Sequence, residues 1–174
     1  MVVIRVARPE DVVHFPEIER VSGSAFRERD MASIADDGPL PAHELLAYQR
    51  AGRAWVATDD VDEPVAYLVL DIVDEFTHVE QVSVDPAYAH HRLGQALLDA
   101  EAAWAHEQGL GAMTLTTFAD VPWNAPYYVR LGVCVVLTHS AKPSAVITSV
   151  CGSSPKPSSC SPGPHSSWEA SQPS

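Results

Sequence analysis

The sequence predicts an α/β fold in which a mixed central sheet is flanked by helices. Short β-branched runs such as Val2–Val6 and Val65–Leu70 alternate with segments of helical periodicity. The acidic turn Asp59–Glu63 joins two strand-like segments as a hairpin, whereas Leu93–Trp104 lies between two strands as a helical crossover. Hairpins combined with a crossover are typical of a mixed sheet and not of a helical bundle or an all-β barrel.

The individual elements follow in the order βααβββαβα. Asp11 stands where a helix cap is expected, and apolar residues follow it at helical spacing. Pro41–Arg50 reads as the second helix. Further strands are expected at 54–58, 77–84 and 113–118, and a short final helix at 124–131.

The crossover helix has the clearest pattern. Its apolar stripe is formed by Leu93, Leu97, Ala100 and Trp104, which recur at i, i+4, i+7 and i+11. Asp99, Glu101 and Glu107 lie off that stripe. Gly109 is expected to end the helix, because glycine readily adopts the left-handed conformation of a C-terminal cap.

Charge and cysteine usage restrict the class of protein. The net charge is −12 without a basic patch, which disfavours nucleic acid and favours a cationic partner such as an amine. Neither a leader peptide nor an apolar run long enough to cross a membrane is evident. The three Cys lack metal-ligand spacing, so we expect no metal and a cytoplasmic location.

The composition changes abruptly near residue 133. Residues 1–132 hold nine Arg, no Lys and 22 of the 23 acidic residues, whereas 133–174 hold both Lys, twelve Ser, six Pro and all three Cys. Residues 1–132 are therefore the expected functional domain, and 133–174 an atypical Ser/Pro-rich tail that is largely disordered. A naturally disordered tail and a shifted reading frame both account for the change.

The turn between residues 84 and 95 is the first candidate site. It joins a strand to a helix start, and the unpaired N–H groups and positive dipole end of a helix suit a pyrophosphate. His90, His91 and Arg92 add positive charge there. A plain crossover connection without a ligand explains the same pattern.

Two segments of the chain carry a resemblance to a known family. Val82–Leu98 resembles the acetyl-CoA-binding motif of the GNAT (GCN5-related N-acetyltransferase) superfamily, a strand ending in Val-x-Pro followed by Gln/Arg-x-x-Gly-x-Gly/Ala and a helix. Leu115–Gly132 is similar to the family's later strand, loop and Tyr-bearing helix, and Arg5–Asp11 to its common opening. The resemblance covers residues 2 to about 133 and implies the GNAT fold.

The chain departs from the family pattern at three places. Ala89 stands at the first motif position instead of Gln or Arg, and Arg92 at the fourth instead of Gly. The Arg92 side chain would either crowd a backbone that must approach the pyrophosphate or contact a phosphate itself. After Gly132 the family's last strands are atypical or missing, and the β-prone segment 145–150 is the one candidate substitute.

The resemblance also implies a mechanism. In the family the fourth and fifth strands part, the pantetheine arm pairs with the fourth, and an amine attacks the thioester directly. Tyr128 matches the proton donor, and Glu80 is the candidate base, with His78 sharing its face. The simpler interpretations are that Tyr128 only packs on the sheet and that Glu80 is a solvated carboxylate of the strand. The implied cofactor-binding residues are Val82, Ser83, Val84, Ala89, His90, His91, Arg92, Leu93, Gly94, Gln95 and Asn124.

The predicted function is transfer of an acetyl group from acetyl-CoA to a primary amine of a small molecule or peptide. The alternative is a non-catalytic acyl-CoA-binding protein with the same fold. An α/β interaction domain without a cofactor is a third reading. Because exposed sheet edges invite association, a homodimer is one expected assembly.

Overall fold

The computed structural model of the chain describes residues 2–27, 40–118, 134–137 and 144–149. The strands are β1 (Val3–Val6), β2 (Ala54–Thr58), β3 (Pro64–Val73), β4 (Phe76–Val84), β5 (Ala112–Phe118), β6 (Cys134–Leu137) and β7 (Ser144–Ser149). The helices are α1 (Phe15–Arg27), α2 (Ala42–Arg50) and α3 (Leu93–Glu107), and short 3₁₀ turns cover Pro9–His14 and Pro86–Tyr88.

The strands form one mixed sheet in the order β1-β2-β3-β4-β5-β7-β6. Neighbouring strands are antiparallel except β4 and β5, which are parallel and joined by α3. The predicted β2–β3 hairpin is present, with the Asp59 N–H donating to the Glu63 carbonyl at 3.0 Å. The predicted α/β fold with flanking helices is therefore confirmed.

Asp11 has a different role from the expected helix cap. It lies within the 3₁₀ turn, and α1 begins only at Phe15. Its buried carboxylate accepts hydrogen bonds from the Arg8 N–H at 2.5 Å and from the Arg5 guanidinium at 2.6 and 3.0 Å. Burial alone would raise the pKa of Asp11, but these hydrogen bonds lower it below its ordinary value. Asp11 thus fastens the first turn to β1.

The two faces of the sheet carry separate cores. One core packs α1 and α2 on the sheet through Val12, Phe15, Ile18, Leu45, Val56, Tyr67 and Val69. The other packs α3 on the opposite face through Trp55, Leu68, Leu70, Val79, Leu93, Leu97, Leu98, Met113 and Leu115. Alternate residues of β3 contribute to opposite cores, because successive strand side chains point to opposite faces.

In helix α3 most of the predicted apolar stripe packs against the sheet, and one acidic residue outside the stripe is also buried. Leu93 and Leu97 are buried, and Trp104 packs edge-on against Trp55 with ring centroids 5.4 Å apart. The helix ends at Glu107, and Gly109 adopts a left-handed φ of 74°. Glu101 lies off the stripe but is nevertheless fully buried against the sheet. The buried surface of α3 is wider than the stripe, because β4 and β5 both pack on it.

The region after the composition break supplies two strands. β7 pairs with β5 from Met113↔Ser149 to Phe118↔Ser144, and β6 pairs with β7. The sequence led us to expect atypical or missing strands after Gly132, but β7 covers the edge of β5, and the candidate segment 145–150 provides most of that strand. Its β-branched residues favour extended backbone despite the Ser-rich surroundings. The final helix expected at 124–131 and the disordered tail expected from about 152 lie outside the described residues. The boundary at 132/133 and the homodimer stay predictions.

The buried Glu101 makes folding sensitive to pH. Its carboxylate oxygens have no hydrogen-bond partner among the described residues, and burial raises its pKa, which the nearby Thr77 hydroxyl opposes only in part. The folded state therefore holds this proton more tightly than the unfolded chain does. The contribution of Glu101 to stability is therefore fully present below its ordinary pKa of 4.5 and is lost as pH rises through the raised value.

We predict that Glu101→Gln removes this pH dependence. The unfolding free energy of the variant relative to the unmodified chain should grow above about pH 4.5, by at most about 1.4 kcal/mol per pH unit. Denaturant titrations at several pH values measure this difference. Asp99→Asn, at an exposed position of the same helix, is the matched control and should follow the unmodified chain. A constant difference for Glu101→Gln across the pH range would contradict the prediction.

Candidate active site

The strands β4 and β5 part halfway along their length. β4 pairs with β3 from Phe76 to Val84, but with β5 only through the four pairs from Phe76↔Ala112 to Val79↔Leu115. Both strands continue past this point, and the other edge of β5 pairs with β7. Among the described residues no strand therefore pairs with the β5-side edge of Glu80–Val84. Backbone N–H and C=O groups need partners, so this edge suits an extended ligand that carries amides.

A β-bulge lies where the strands part. Val69 of β3 is opposite Gln81 and Leu70 is opposite Val79, so Glu80 is an extra residue in β4. A bulge bends its strand and re-aims side chains, and bulges are frequent beside active sites. Here the side chains of His78 and Glu80 approach each other, with His78 Nε2 3.9 Å from Glu80 Oε1. The bulge thus places Glu80, the candidate base, where β4 and β5 separate.

His78 is held from the neighbouring strand. Its Nδ1 lies 2.8 Å from the Thr114 hydroxyl of β5. That hydroxyl donates a hydrogen bond of 3.0 Å to the Thr77 carbonyl. The side chains of His78 and Glu80 remain 24% and 38% exposed, so both groups can exchange protons with a ligand or with solvent.

A polar cluster borders this pair on the same face. Asp71, opposite His78 in the β3–β4 register, accepts hydrogen bonds from the Tyr48 hydroxyl at 3.0 Å and from Arg53 Nη1 at 2.7 Å. The Arg53 guanidinium also lies 5.5 Å from the Tyr48 ring centroid. Burial, and then the Asp71 and Glu80 carboxylates, raise the pKa of Tyr48 to about 12. Tyr48 therefore stays protonated and acts as a hydrogen-bond donor. The negative charge of Asp71 is balanced by its ion pair with Arg53.

Ser83 and Tyr67 form a second polar group farther along β4. The two residues face each other across the β3–β4 register, and both are buried. The Gln81 amide donates to the Ser83 hydroxyl at 2.8 Å, and the Tyr67 hydroxyl donates to Glu19 Oε2 at 2.7 Å. Burial, and then the Glu19 carboxylate, raise the pKa of Tyr67 above its ordinary value. The Tyr67 hydrogen bond connects α1 to β3, and the Gln81–Ser83 hydrogen bond lies within β4, the strand where the pantetheine arm is predicted to pair.

The turn before α3 adopts an uncommon backbone conformation. His90 and Arg92 have positive φ values of 68° and 56°, which side-chain-bearing residues rarely adopt. Arg92 precedes the first turn of α3 and makes no side-chain cap hydrogen bond, so its side chain leaves the first N–H groups of the helix free. The side chains of His90, His91 and Arg92 are exposed. Three side chains that can be cationic therefore surround a helix N-terminus in a strongly acidic chain.

The positive φ of Arg92 places strain in the turn. A left-handed conformation is one that glycine adopts without steric cost, whereas a residue with a Cβ adopts it at a cost. The resemblance stated above implies glycine at this position, so Arg92 is a departure at which a side chain meets this strain.

The structure brings most of the predicted site residues to one end of the sheet. Glu80 and Val82–Val84 lie on β4 beside the parting of the strands, and 89–95 forms the turn and first residues of α3. Val82 and Val84 pack on the α3 core, and Leu93 is buried there. Tyr128 and Asn124 lie outside the described residues. The roles of all these residues stay predictions.

Sequence reasoning missed Tyr48, Asp71 and Thr114. The first two sit on elements that were predicted correctly, but nothing in their spacing marked them. A tight β3–β4 hairpin through Asp74 and Glu75 would have placed Asp71 opposite His78, as the structure has it. Thr114 reaches His78 only through the parallel pairing of β4 with β5, which joins residues 36 positions apart.

In the part of the chain that the structure describes, no group of three or more His, Cys, Asp or Glu side chains is arranged to hold a metal ion. No helix in the same ranges is both long and apolar enough to cross a membrane.

Comparisons with known proteins agree with this geometry. The sequence profile described as the acetyltransferase (GNAT) family matches residues 18–133, which is more than half of the chain. The fold resembles PaiA N-acetyltransferase of Thermoplasma acidophilum in complex with coenzyme A, at 14% identity and a TM-score of 0.69, covering 86% of this chain and 99% of that chain. It also resembles the ribosomal-protein-S18-alanine N-acetyltransferase of Escherichia coli, at 18% identity and a TM-score of 0.65, covering 86% and 93%.

A third similar structure is YncA of Salmonella typhimurium with acetyl-CoA, at 17% identity and a TM-score of 0.66, covering 91% of this chain and 99% of that chain. At these identities the structural likeness establishes the fold, while the profile match establishes the family. The chain belongs to the GNAT family of acetyltransferases.

Proposed function

We propose that this protein transfers an acetyl group from acetyl-CoA to a primary amine of a small molecule or peptide by direct attack. The observation that carries the proposal is the edge of β4 beyond Val79, which has no strand partner among the described residues and begins beside a histidine and a carboxylate. An extended thioester ligand bound along this edge would bring its carbonyl close to groups that can accept a proton. No acyl-enzyme is needed, and all three Cys lie beyond residue 133.

The residues of β4 and of the following turn fit acetyl-CoA. The backbone of Val82–Val84 offers donors and acceptors to the amides of the pantetheine arm. The free N–H groups at the start of α3 suit the pyrophosphate, and Arg92 and the two histidines add charge beside it. When bound, the cofactor supplies the activated acetyl group. Asn124 is proposed to contact the cofactor or to cap its helix.

Proton transfer in this proposal depends on three side chains. Glu80 and His78 form the pair that accepts the proton of the acceptor ammonium group. Tyr128, from its match to the family motif, donates a proton to the departing thiolate. The net charge of −12 favours the approach of cationic amines. A cytoplasmic location is part of the same proposal.

A non-catalytic acyl-CoA-binding protein is the second candidate. The strained Arg92 at a position where the family has glycine favours it, because strain in the phosphate-binding turn can weaken cofactor positioning. The two candidates differ in turnover and not in binding.

We predict that this chain releases CoA from acetyl-CoA faster when a suitable primary amine is added. A thiol-reactive dye measures CoA release across a panel of small amines and N-terminal peptides, and calorimetry measures CoA binding separately. Binding without amine-dependent release would favour the non-catalytic candidate. Absence of CoA binding would contradict both candidates and favour an interaction domain.

We predict that Arg92→Gly stabilises the fold by about 0.5–1 kcal/mol. Glycine removes the steric cost of the left-handed conformation in the folded state. Part of this gain is lost, because glycine also increases the conformational entropy of the unfolded chain. Ala89→Gly is the matched control, since Ala89 is extended with φ −56° and ψ 153°. It should be destabilising, because glycine there only increases the freedom of the unfolded chain. Denaturant unfolding measures both, and equal effects would contradict the strain argument.

The same variant tests the phosphate contact. If the Arg92 guanidinium binds the pyrophosphate, Arg92→Gly should weaken CoA binding by about tenfold, the size of one charge-assisted hydrogen bond of about 1.5 kcal/mol. We expect this weakening, because the side chain is exposed and no hydrogen bond from it is found among the described residues. Tighter CoA binding by the variant would show that the side chain crowds the site.

We predict that Tyr128→Phe lowers kcat by roughly ten- to ten-thousand-fold with little change in CoA affinity, as expected for loss of general acid help. Glu80→Gln should shift or flatten the acidic limb of the pH–rate profile. Steady-state kinetics over a pH series measures both variants. Tyr127→Phe, the adjacent phenol, is the matched control and should keep most of the activity. Normal turnover by Tyr128→Phe would reduce that residue to a packing role.

A further inference from the structure

The Thr114 hydroxyl lies between His78 and the Thr77 carbonyl. A threonine hydroxyl has one hydrogen to donate, and the Thr77 carbonyl, 3.0 Å away, can only accept it. With the hydrogen directed there, the contact of 2.8 Å between the Thr114 oxygen and His78 Nδ1 is a hydrogen bond only if Nδ1 is the donor. Both contacts are hydrogen bonds at the same time only in the Nδ1–H tautomer, whose lone pair is on Nε2.

We propose that Thr114 is a positioning residue that holds His78 in the Nδ1–H tautomer, so that Nε2 accepts the proton of the acceptor ammonium group. The inference rests on the proposed acetyl transfer and assigns the base within the His78–Glu80 pair. Thr114 acts from β5, across the interface between the two strands that part.

The position of the pair in the sheet supports this assignment. His78↔Thr114 is the second-to-last pair between β4 and β5, and the strands part directly after Val79↔Leu115. The two threonine hydrogen bonds therefore brace the last closed part of the interface. The Nε2 side of the ring faces Glu80, the bulge residue at the point where the strands separate.

The separation between His78 and Glu80 suits a base and its counter-ion. At 3.9 Å, Nε2 and Glu80 Oε1 are too far apart for a hydrogen bond, so the neutral ring keeps its lone pair available. In the proton transfer an N–H bond of the ammonium group breaks and an Nε2–H bond forms. The amine keeps the electron pair with which it attacks, and the imidazolium later passes its proton to water. Glu80 stabilises the imidazolium while it exists.

The other charged and titratable groups around His78 do not replace Glu80 in this role. Asp71, opposite on β3, is paired with Arg53 and hydrogen-bonded to Tyr48 of α2. Thr114 and Thr77 bring no charge from β5 and β4. Among the described residues the Glu80 carboxylate makes no hydrogen bond, so it remains available to the imidazolium.

The test compares Thr114→Val, which removes the hydroxyl at nearly constant shape, with Thr114→Ser, which retains it. Nitrogen-15 NMR of the histidine rings reports the tautomer directly, with His78→Gln used to assign the His78 signals. We expect Nδ1–H for the unmodified chain and Thr114→Ser, and loss of that preference in Thr114→Val. Denaturant unfolding confirms that each variant is folded.

Kinetics supply the second measurement. We expect Thr114→Val to lower kcat by about tenfold or more, within the range of general-base effects, and to alter the acidic limb of the pH–rate profile. The KM for acetyl-CoA should change little, and Thr114→Ser should retain most of the rate. A structural role alone would change stability without moving the tautomer or the pH profile.

The outcomes separate the two proposals. An Nε2–H tautomer in the unmodified chain, or an unchanged tautomer in Thr114→Val, would overturn the role of Thr114 whatever the activity. An unchanged kcat and pH profile in Thr114→Val with an altered tautomer would overturn Nε2 as the acceptor. If the tautomer follows Thr114 but no amine is acetylated, the proposed function fails, and the proton-accepting role fails with it.

Discussion

The limited pairing between β4 and β5 is the constraint on which the rest of the structure depends. Four residue pairs join the two strands at one end, and beyond Val79 the β5-side edge of β4 has no strand partner in the described chain. Open backbone in the middle of a sheet is costly unless a ligand or water satisfies it. The fold accommodates it because β3 pairs along the whole of β4 and β7 pairs along β5.

Helix α3 is the element that makes this arrangement stable. Its apolar side packs against β4 and β5 at once, so the two strands stay joined through the α3 core although their backbones separate. Its first residues lie beside the end of β4, which brings the helix N-terminus and the free strand edge to the same end of the sheet. The packing that stabilises the gap therefore also assembles the two halves of the proposed cofactor site.

Several unfavourable local features lie around this region. Arg92 and His90 have left-handed backbones, Glu101 is buried without a hydrogen-bond partner among the described residues, and Glu80 interrupts the β3–β4 register. Such features are expected to persist only where surrounding contacts compensate for them, and they cluster at functional sites. Here the compensation comes from the two cores, which bury most of β2, β3 and the inner surface of α3.

The sequence by itself determined the α/β class, the order of the elements up to β5, the strand–turn–helix at Val82–Leu98 and the family. These features depend on local periodicity and on short motifs, which a single chain displays directly. After residue 133 the sequence indicated β7 only as a candidate segment and did not indicate β6, because strand pairing with β5 and β7 outweighs the local preference of a Ser/Pro-rich region. Only the tertiary structure decided the burial of Glu101, the bulge at Glu80 and the contact between Thr114 and His78. Each of these depends on strand register or on packing between residues distant in sequence, and local side-chain patterns carry no record of which partner a strand will meet.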